Sequence, residues 1–237
     1  MPQLITVAFL NNEMVEIVYK NKDFVVVNKE VGTPSQSDVS GDADAMSATG
    51  EMLKGLGETP DLWLIHRLDR VVGGLLVFAR NKESAAALSK IVADSLMEKE
   101  YIAVIEGEAQ GGEMCDFLYK DSRQGKSFVV SGERRGAKRA RLEYTSLFAI
   151  ECERGVKTLV KILLHTGRHH QIRVQFSSRG MALVGDGKYG SRDNKAKTPS
   201  LFASRLAFSL GGEKYNFCAL PDIKKYPWSL FSEECYK

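Results

Sequence analysis

An α+β fold, a mixed and mainly antiparallel sheet with a few helices against it, is what the sequence predicts. Three observations support it: strand-like runs outnumber helical ones, many are joined by hairpin-sized turns, and regular strand–helix–strand alternation is missing. The last point argues against a doubly wound nucleotide-binding sheet.

Ile17–Tyr19 and Phe24–Val27 are β-branched and aromatic runs, separated by a Lys20–Asp23 turn. Thr33 to Thr49 is rich in Ser, Asp, Gly and Ala and reads as a mobile loop. Met52, Leu53 and Leu56 suit a short helix before Pro60. Leu62–Ile65 is a strand entering the His66–Gly74 segment, and Leu75–Ala79 is the strand leaving it. Asn81 then caps the clearest helix, with Ala85, Leu88, Ile91, Val92 and Leu96 at helical spacing. Strands follow at Glu100–Ile105, Ser127–Ser131, Leu142–Glu151 and Lys157–Leu164, the last two joined at Glu153-Arg154-Gly155. His169 to Arg179 reads as a helix closed by Gly180. Leu206, Phe208 and Leu210 alternate as a half-buried strand, Gly211-Gly212 turns the chain, and Tyr215–Leu220 returns.

The 237 residues suffice for a proper core, and 43% apolar with 27% charged residues is the balance of an ordinary soluble globular protein. No apolar run is long enough to span a bilayer, and the N-terminus lacks a secretory signal. Cys115, Cys152, Cys218 and Cys235 lie far apart, which fits free thiols in a reducing cytoplasm. One continuous domain over 1–237 is expected, with a monomer as the default. The net charge of +3 says little, but Arg134, Arg135, Lys138, Arg139 and Arg141 crowd together, with Lys120, Arg123 and Lys126 upstream. They read either as a phosphate-binding footprint or as a solvated hairpin.

The most informative pairing is His66-Arg67-Leu68-Asp69 with the distant Thr166-Gly167-Arg168-His169-His170-Gln171-Ile172-Arg173. Asp69 sits on a turn with Leu64 and Leu68 nearby, and is either a turn former or a reactive carboxylate. Arg173 is a candidate partner, because a guanidinium stays charged, binds a carboxylate bidentately and keeps it ionised. Three of the four histidines (His165, His169, His170) tempt a metal reading. That reading lacks a His-Glu-x-x-His pattern, and His170 and Gln171 suit hydrogen bonding to the Asp69 loop better. Tyr101 at a strand start is either core or a surface on which a flat substrate stacks. Gly185-Asp186-Gly187-Lys188-Tyr189-Gly190 lacks phosphate-loop context and reads as a tight turn that positions other residues.

Together these segments resemble the RluA-type family of RNA pseudouridine synthases. The matching stretches are His66–Arg70 with Gly74, Lys99-Glu100-Tyr101, Thr166–Val174 and Gly185–Gly190, with looser agreement at Val25–Lys29 and Leu201–Phe208. The resemblance covers a core of about 14–220. It implies a bent sheet with helices and loops around a central RNA-binding cleft, no metal or organic cofactor, and structured RNA (rRNA or tRNA) as partner. It assigns Asp69 as the essential aspartate, Tyr101 as the active-site tyrosine and Arg173 as the arginine paired with the aspartate. Arg67 matches an arginine that enters the space left by the extruded base, and Leu201 (or else Leu206) an apolar residue under the uracil. His66 and Arg168, beside these positions, are expected to contact substrate.

The chemistry requires a flipped-out uridine, because the glycosidic nitrogen and carbon 5 are both inaccessible in a stacked helix. Asp69 then attacks ring or sugar, or removes a sugar proton; a carboxylate suits each route. The sequence departs from the family at Val72-Gly73, where Thr-Ser is common, and at Glu30-Val31, where a proline-containing pair is usual. No separate N-terminal RNA-binding domain is expected. An RNA-binding paralogue without catalysis and a metal hydrolase are the competing readings.

Overall fold

The computed structural model describes residues 13–37, 41–132 and 134–236. Along the chain it forms β1 (Val15–Lys20), β2 (Phe24–Lys29), α1 (Ala45–Gly55), β3 (Trp63–Leu64), β4 (Gly73–Ala79), α2 (Lys82–Ala93) and β5 (Glu98–Glu106). There follow β6 (Gly112–Asp121), β7 (Lys126–Val130), β8 (Lys138–Cys152), β9 (Gly155–Leu164), α3 (Gln171–Ser177), β10 (Leu201–Leu210) and β11 (Glu213–Cys218). Two compact units result: residues up to Met97 with Arg205–Ala219, and Glu98–Ser204 with Leu220–Lys237.

In the first unit β1 and β2 pair antiparallel, and Asn21 makes the turn, its Oδ1 accepting from the N–H groups of Asp23 and Phe24 at 2.8 Å each. β4 pairs antiparallel with β2 and β3, and its Leu75–Ala79 run is buried along its whole length, as a central strand requires. Leu206 and Phe208 of β10 join Phe24, Val26, Leu75, Val77 and Leu88 in one apolar cluster, and β11 returns along β10. Asn81 caps α2 as expected, its Oδ1 accepting from Ser84 N at 2.8 Å.

The segment expected to be a loop over 33–49 is partly helix. α1 begins at Ala45, with Asp44 accepting from Ser47 N at 3.0 Å; positions 38–40 lie outside the described residues. The face it buries is Ala45, Ala48, Thr49 and Gly50, with Leu53, so close packing of small residues replaces the hydrophobic stripe that pattern reading looks for.

The strands of the second unit lie in the order β5-β9-β8-β6-β7, every pair antiparallel. β8 and β9 form a long hairpin closed at Cys152↔Gly155, with a register shift between Ser146 and Phe148. α3 lies against β6 and β7, where Val174 meets Leu118, Ala140 and Tyr189. The expected helix from 169 is shorter, Gln171–Ser177, because His170 adopts a left-handed φ of 53° and ends the loop there. β6 was not expected: of its ten residues only Met114 and Leu118 are buried, too sparse a signal for a strand. β10 also starts earlier than its alternating residues suggest, at Leu201. The α+β class and the mainly antiparallel pairing are as the sequence predicts.

Candidate active site

Asp69 lies where the chain leaves β3 and turns into β4. Val72 N–H donates to Asp69 O at 2.9 Å and closes the turn. The preceding residue is clamped on both sides: Leu68 N–H donates to Ser35 Oγ at 3.0 Å, and the Ser35 hydroxyl donates to Leu68 O at 2.9 Å. Arg70 and Gly32 are joined twice, Gly32 N–H to Arg70 O at 2.8 Å and Arg70 Nε to Gly32 O at 2.9 Å. These bonds fix the Asp69 turn against the Glu30–Ser35 segment.

Beneath both segments lies Lys29, 1% exposed at the end of β2. Its ammonium donates to Thr33 O at 2.7 Å, Glu30 O at 3.0 Å and, more weakly, Arg70 O at 3.4 Å. Burial lowers its pKa to about 8, and the charge of Asp69 is the largest influence opposing that fall. Lys29 therefore remains a cation at neutral pH, held within the field of a half-buried carboxylate. Val72 is buried, and its N–H makes the turn bond. The brace that hydroxyls at Val72-Gly73 would provide thus comes from Ser35 and Lys29, on another segment of the chain. Of the other expected substrate contacts here, Arg67 is exposed and His66 is half-buried, its Nε2 facing Val77 N at 3.4 Å.

In the second unit Arg173, 4% exposed, is gripped by Asp186: Nε to Oδ2 at 2.7 Å and Nη2 to Oδ1 at 2.8 Å. Its guanidinium carbon also sits 5.0 Å from the Tyr189 ring centroid. Asp186 follows Gly185, whose φ is +81° and where an added Cβ would lie 2.3 Å from Thr198 O and 2.7 Å from Ala196 Cβ. Only glycine fits, so the glycine-dense segment is a tight turn that positions another residue, and the residue it positions is Arg173. Sequence reasoning missed Asp186 as this partner, because a Gly-Asp-Gly string carries the signal of a turn and nothing more.

The histidines take separate hydrogen-bond partners, although the His169 and His170 rings stack with centroids 3.8 Å apart. His165 Nε2 meets Glu143 at 2.9 Å, His169 Nδ1 meets Ser127 Oγ at 3.0 Å, and His170 Nδ1 meets Tyr189 Oη at 2.9 Å. Burial first, then the charges of Arg173, His169, Lys188 and Lys120, push the His170 pKa down to about 2, so it is neutral. Gln171 accepts from Thr166 Oγ1 at 2.8 Å and Arg168 N at 3.0 Å, and donates to Arg141 O at 3.1 Å. It braces its own loop, a correction to the expectation that it reaches the Asp69 loop. Arg168 is exposed, with Nε on Arg139 O at 3.0 Å. Tyr101 and Leu201 are 7% and 5% exposed. They lie on adjacent strands, since the start of β10 is joined to β5 through Val104 N–H to Ser200 O at 3.0 Å and Ser204 Oγ to Glu100 O at 3.3 Å.

Solved structures share this fold. Human RNA pseudouridylate synthase domain containing 1 aligns over 94% of this chain and 88% of its own, with TM-score 0.73 and 24% identity. Human RNA pseudouridylate synthase domain containing 4 aligns over 87% and 89%, with TM-score 0.69 and 25% identity. Residues 23–178 match the RNA pseudouridylate synthase family, and the chain belongs to it. An uncharacterized RNA pseudouridine synthase of Haemophilus influenzae is 30% identical over 87% of this chain and 88% of its own. The tRNA pseudouridine synthase C of the same organism is 28% identical over 81% and 83%. The ribosomal large subunit pseudouridine synthase D of Zymomonas mobilis is 31% identical over 86% and 68%.

Proposed function

We propose that this protein isomerises uridine to pseudouridine in ribosomal or transfer RNA, with Asp69 as the reacting carboxylate. The observation that carries the assignment is the support of the Asp69 turn. Ser35 clamps the backbone of Leu68 next to it, and the half-buried Asp69 carboxylate lies in the electrostatic field of the buried Lys29 ammonium. An anion in a fixed position is what a nucleophile or base needs.

Arg67 is exposed and long enough to fill the gap left by an extruded base. Tyr101 and Leu201 supply apolar surface for the uracil, and His66 and Arg168 contact the flanking RNA. Arg173, fixed by Asp186, supplies a permanent positive charge. With the carboxylate's help the bond from ribose to ring nitrogen breaks, the uracil rotates, carbon 5 bonds to the sugar and loses its proton to water, and the freed ring nitrogen takes a proton up. Atoms are conserved, so no cofactor enters the balance. The relatives' substrates, tRNA for one and large-subunit RNA for another, support the RNA class. The cytoplasm, where both are processed in bacteria, is the compartment this reading implies.

RNA tritiated at uridine carbon 5 tests the proposal. Wild type should release label to water, and Asp69→Asn should abolish release while keeping RNA affinity within several-fold. Undiminished release by that variant would refute the assignment.

A further inference from the structure

The basic cluster noted in the sequence divides between the two faces of the β7-β6-β8 sheet. On the inner face Leu118, Val129 and Ala140 pack under α3, and Lys120 and Lys188 are close enough to influence His170. The outer face follows from strand alternation. Phe117 and Tyr119 of β6, Phe128 and Val130 of β7, and Arg139 and Arg141 of β8 share it, with Tyr119 opposite Phe128 and Phe117 opposite both Val130 and Arg139. Phe128 is 39% exposed, unusual for an aromatic ring in a strand. The turn after β7 folds back so that Arg134 stacks on the Tyr119 ring, 4.0 Å from its centroid. Arg141 is engaged by Glu113 and Glu143, whereas Arg139 Nε donates to the Cys115 sulfur at 3.3 Å.

We propose that this outer face is a second RNA-binding surface, on which an unpaired base stacks against Phe128 and the Arg134–Tyr119 pair while Arg139 meets the adjoining phosphate. Three observations converge on a single-stranded nucleotide as the occupant. The exposed Phe128 ring beside the half-buried Tyr119 ring offers a flat apolar surface that any base can cover. An arginine plane already stacked on tyrosine extends that surface and carries charge. The cations interleaved with the rings match a polyanion and disfavour a purely apolar protein partner. The proposal rests on the reading that RNA is the substrate, and it adds where RNA outside the reacting nucleotide is held.

The test uses a uridine-free single-stranded RNA of roughly a dozen nucleotides, a length suited to such surfaces, with one 2-aminopurine. Lacking uridine, it reports this surface rather than turnover. Wild type should quench the probe. Phe128→Ala should raise Kd about tenfold, while Phe128→Trp should restore binding. Arg134→Gln with Arg139→Gln should reduce the slope of log Kd against log salt by roughly 1. Affinity and salt slope unchanged in all these variants would overturn the proposal and leave the rings and arginines as hairpin packing only. The tritium assay on wild type separates the two readings. Release with no effect of Phe128→Ala on Kd removes this surface but keeps the enzyme; lost quenching in Phe128→Ala without release from wild type does the reverse.

Discussion

Asp186→Asn probes the support of Arg173. The two charged side chains are 5% and 1% exposed and joined by two near-ideal bonds of 2.7 and 2.8 Å. An amide of the same shape keeps one acceptor but removes the negative charge that grips the buried guanidinium. Breaking a buried pair on one side costs about 3–5 kcal/mol. For a chain of this size each kcal/mol lowers Tm by about 2–4 °C, so a fall of roughly 6–20 °C follows. The assay is paired urea and thermal unfolding, with tritium release measured on the same samples. Removing both charges, as Arg173→Met with Asp186→Leu, should recover more than half of the lost stability, because a well-packed apolar pair replaces a buried ion pair at little net cost. Turnover should stay lost in the double variant. A change under about 1 kcal/mol in Asp186→Asn, or a double variant as unstable as the sum of the single ones, would refute this reasoning.

Lys29 gives a pH signature. Its folded pKa, about 8, lies below the roughly 10.4 of an unfolded lysine, so between these values the unfolded chain binds more protons. Stability should therefore gain from this residue as pH rises from about 8 to 10.5, by up to about 1.4 kcal/mol per pH unit. Lys29→Met should lack that gain, and parallel urea-derived profiles for the two proteins would contradict it. Ser35→Ala should cost about 1–3 kcal/mol, because the buried Leu68 N–H loses its acceptor. Turnover should fall further than RNA affinity as the Asp69 turn loosens, and equal losses in both would contradict a positioning role.

Much of the fold was legible where the local chemistry is explicit. Asn21 and Asn81 occupy the turn and the cap that their side chains suit, and the Leu75–Ala79 run is the central strand its composition requires. The first part of helix α1, ahead of the short helix expected at Met52, Leu53 and Leu56, stayed hidden because Ala45, Ala48 and Gly50 bury a face with almost no hydrophobic contrast. An added Cβ at Gly50 would lie 2.9 Å from Pro60 O, so this helix is specified by closeness rather than by apolar bulk. At the site, Asp69 and Arg173 were visible through the charged residues of their motifs. Their supports were not, because Lys29 reads as the polar end of a strand and Ser35 as loop. A lysine that bonds three carbonyls from two segments is specified by tertiary contacts alone. The basic cluster likewise merged two groups of cations that strand alternation places on opposite faces.

The most direct measurement compares release of carbon-5 tritium from uridine-labelled ribosomal and transfer RNA by wild type and by Asp69→Asn, with RNA binding followed in parallel. Label appearing in water with wild type, and none above background with the variant at near-normal affinity, is the expected result. A wild type that binds both RNAs without freeing label, or an amide variant that frees it at the native rate, would contradict the account.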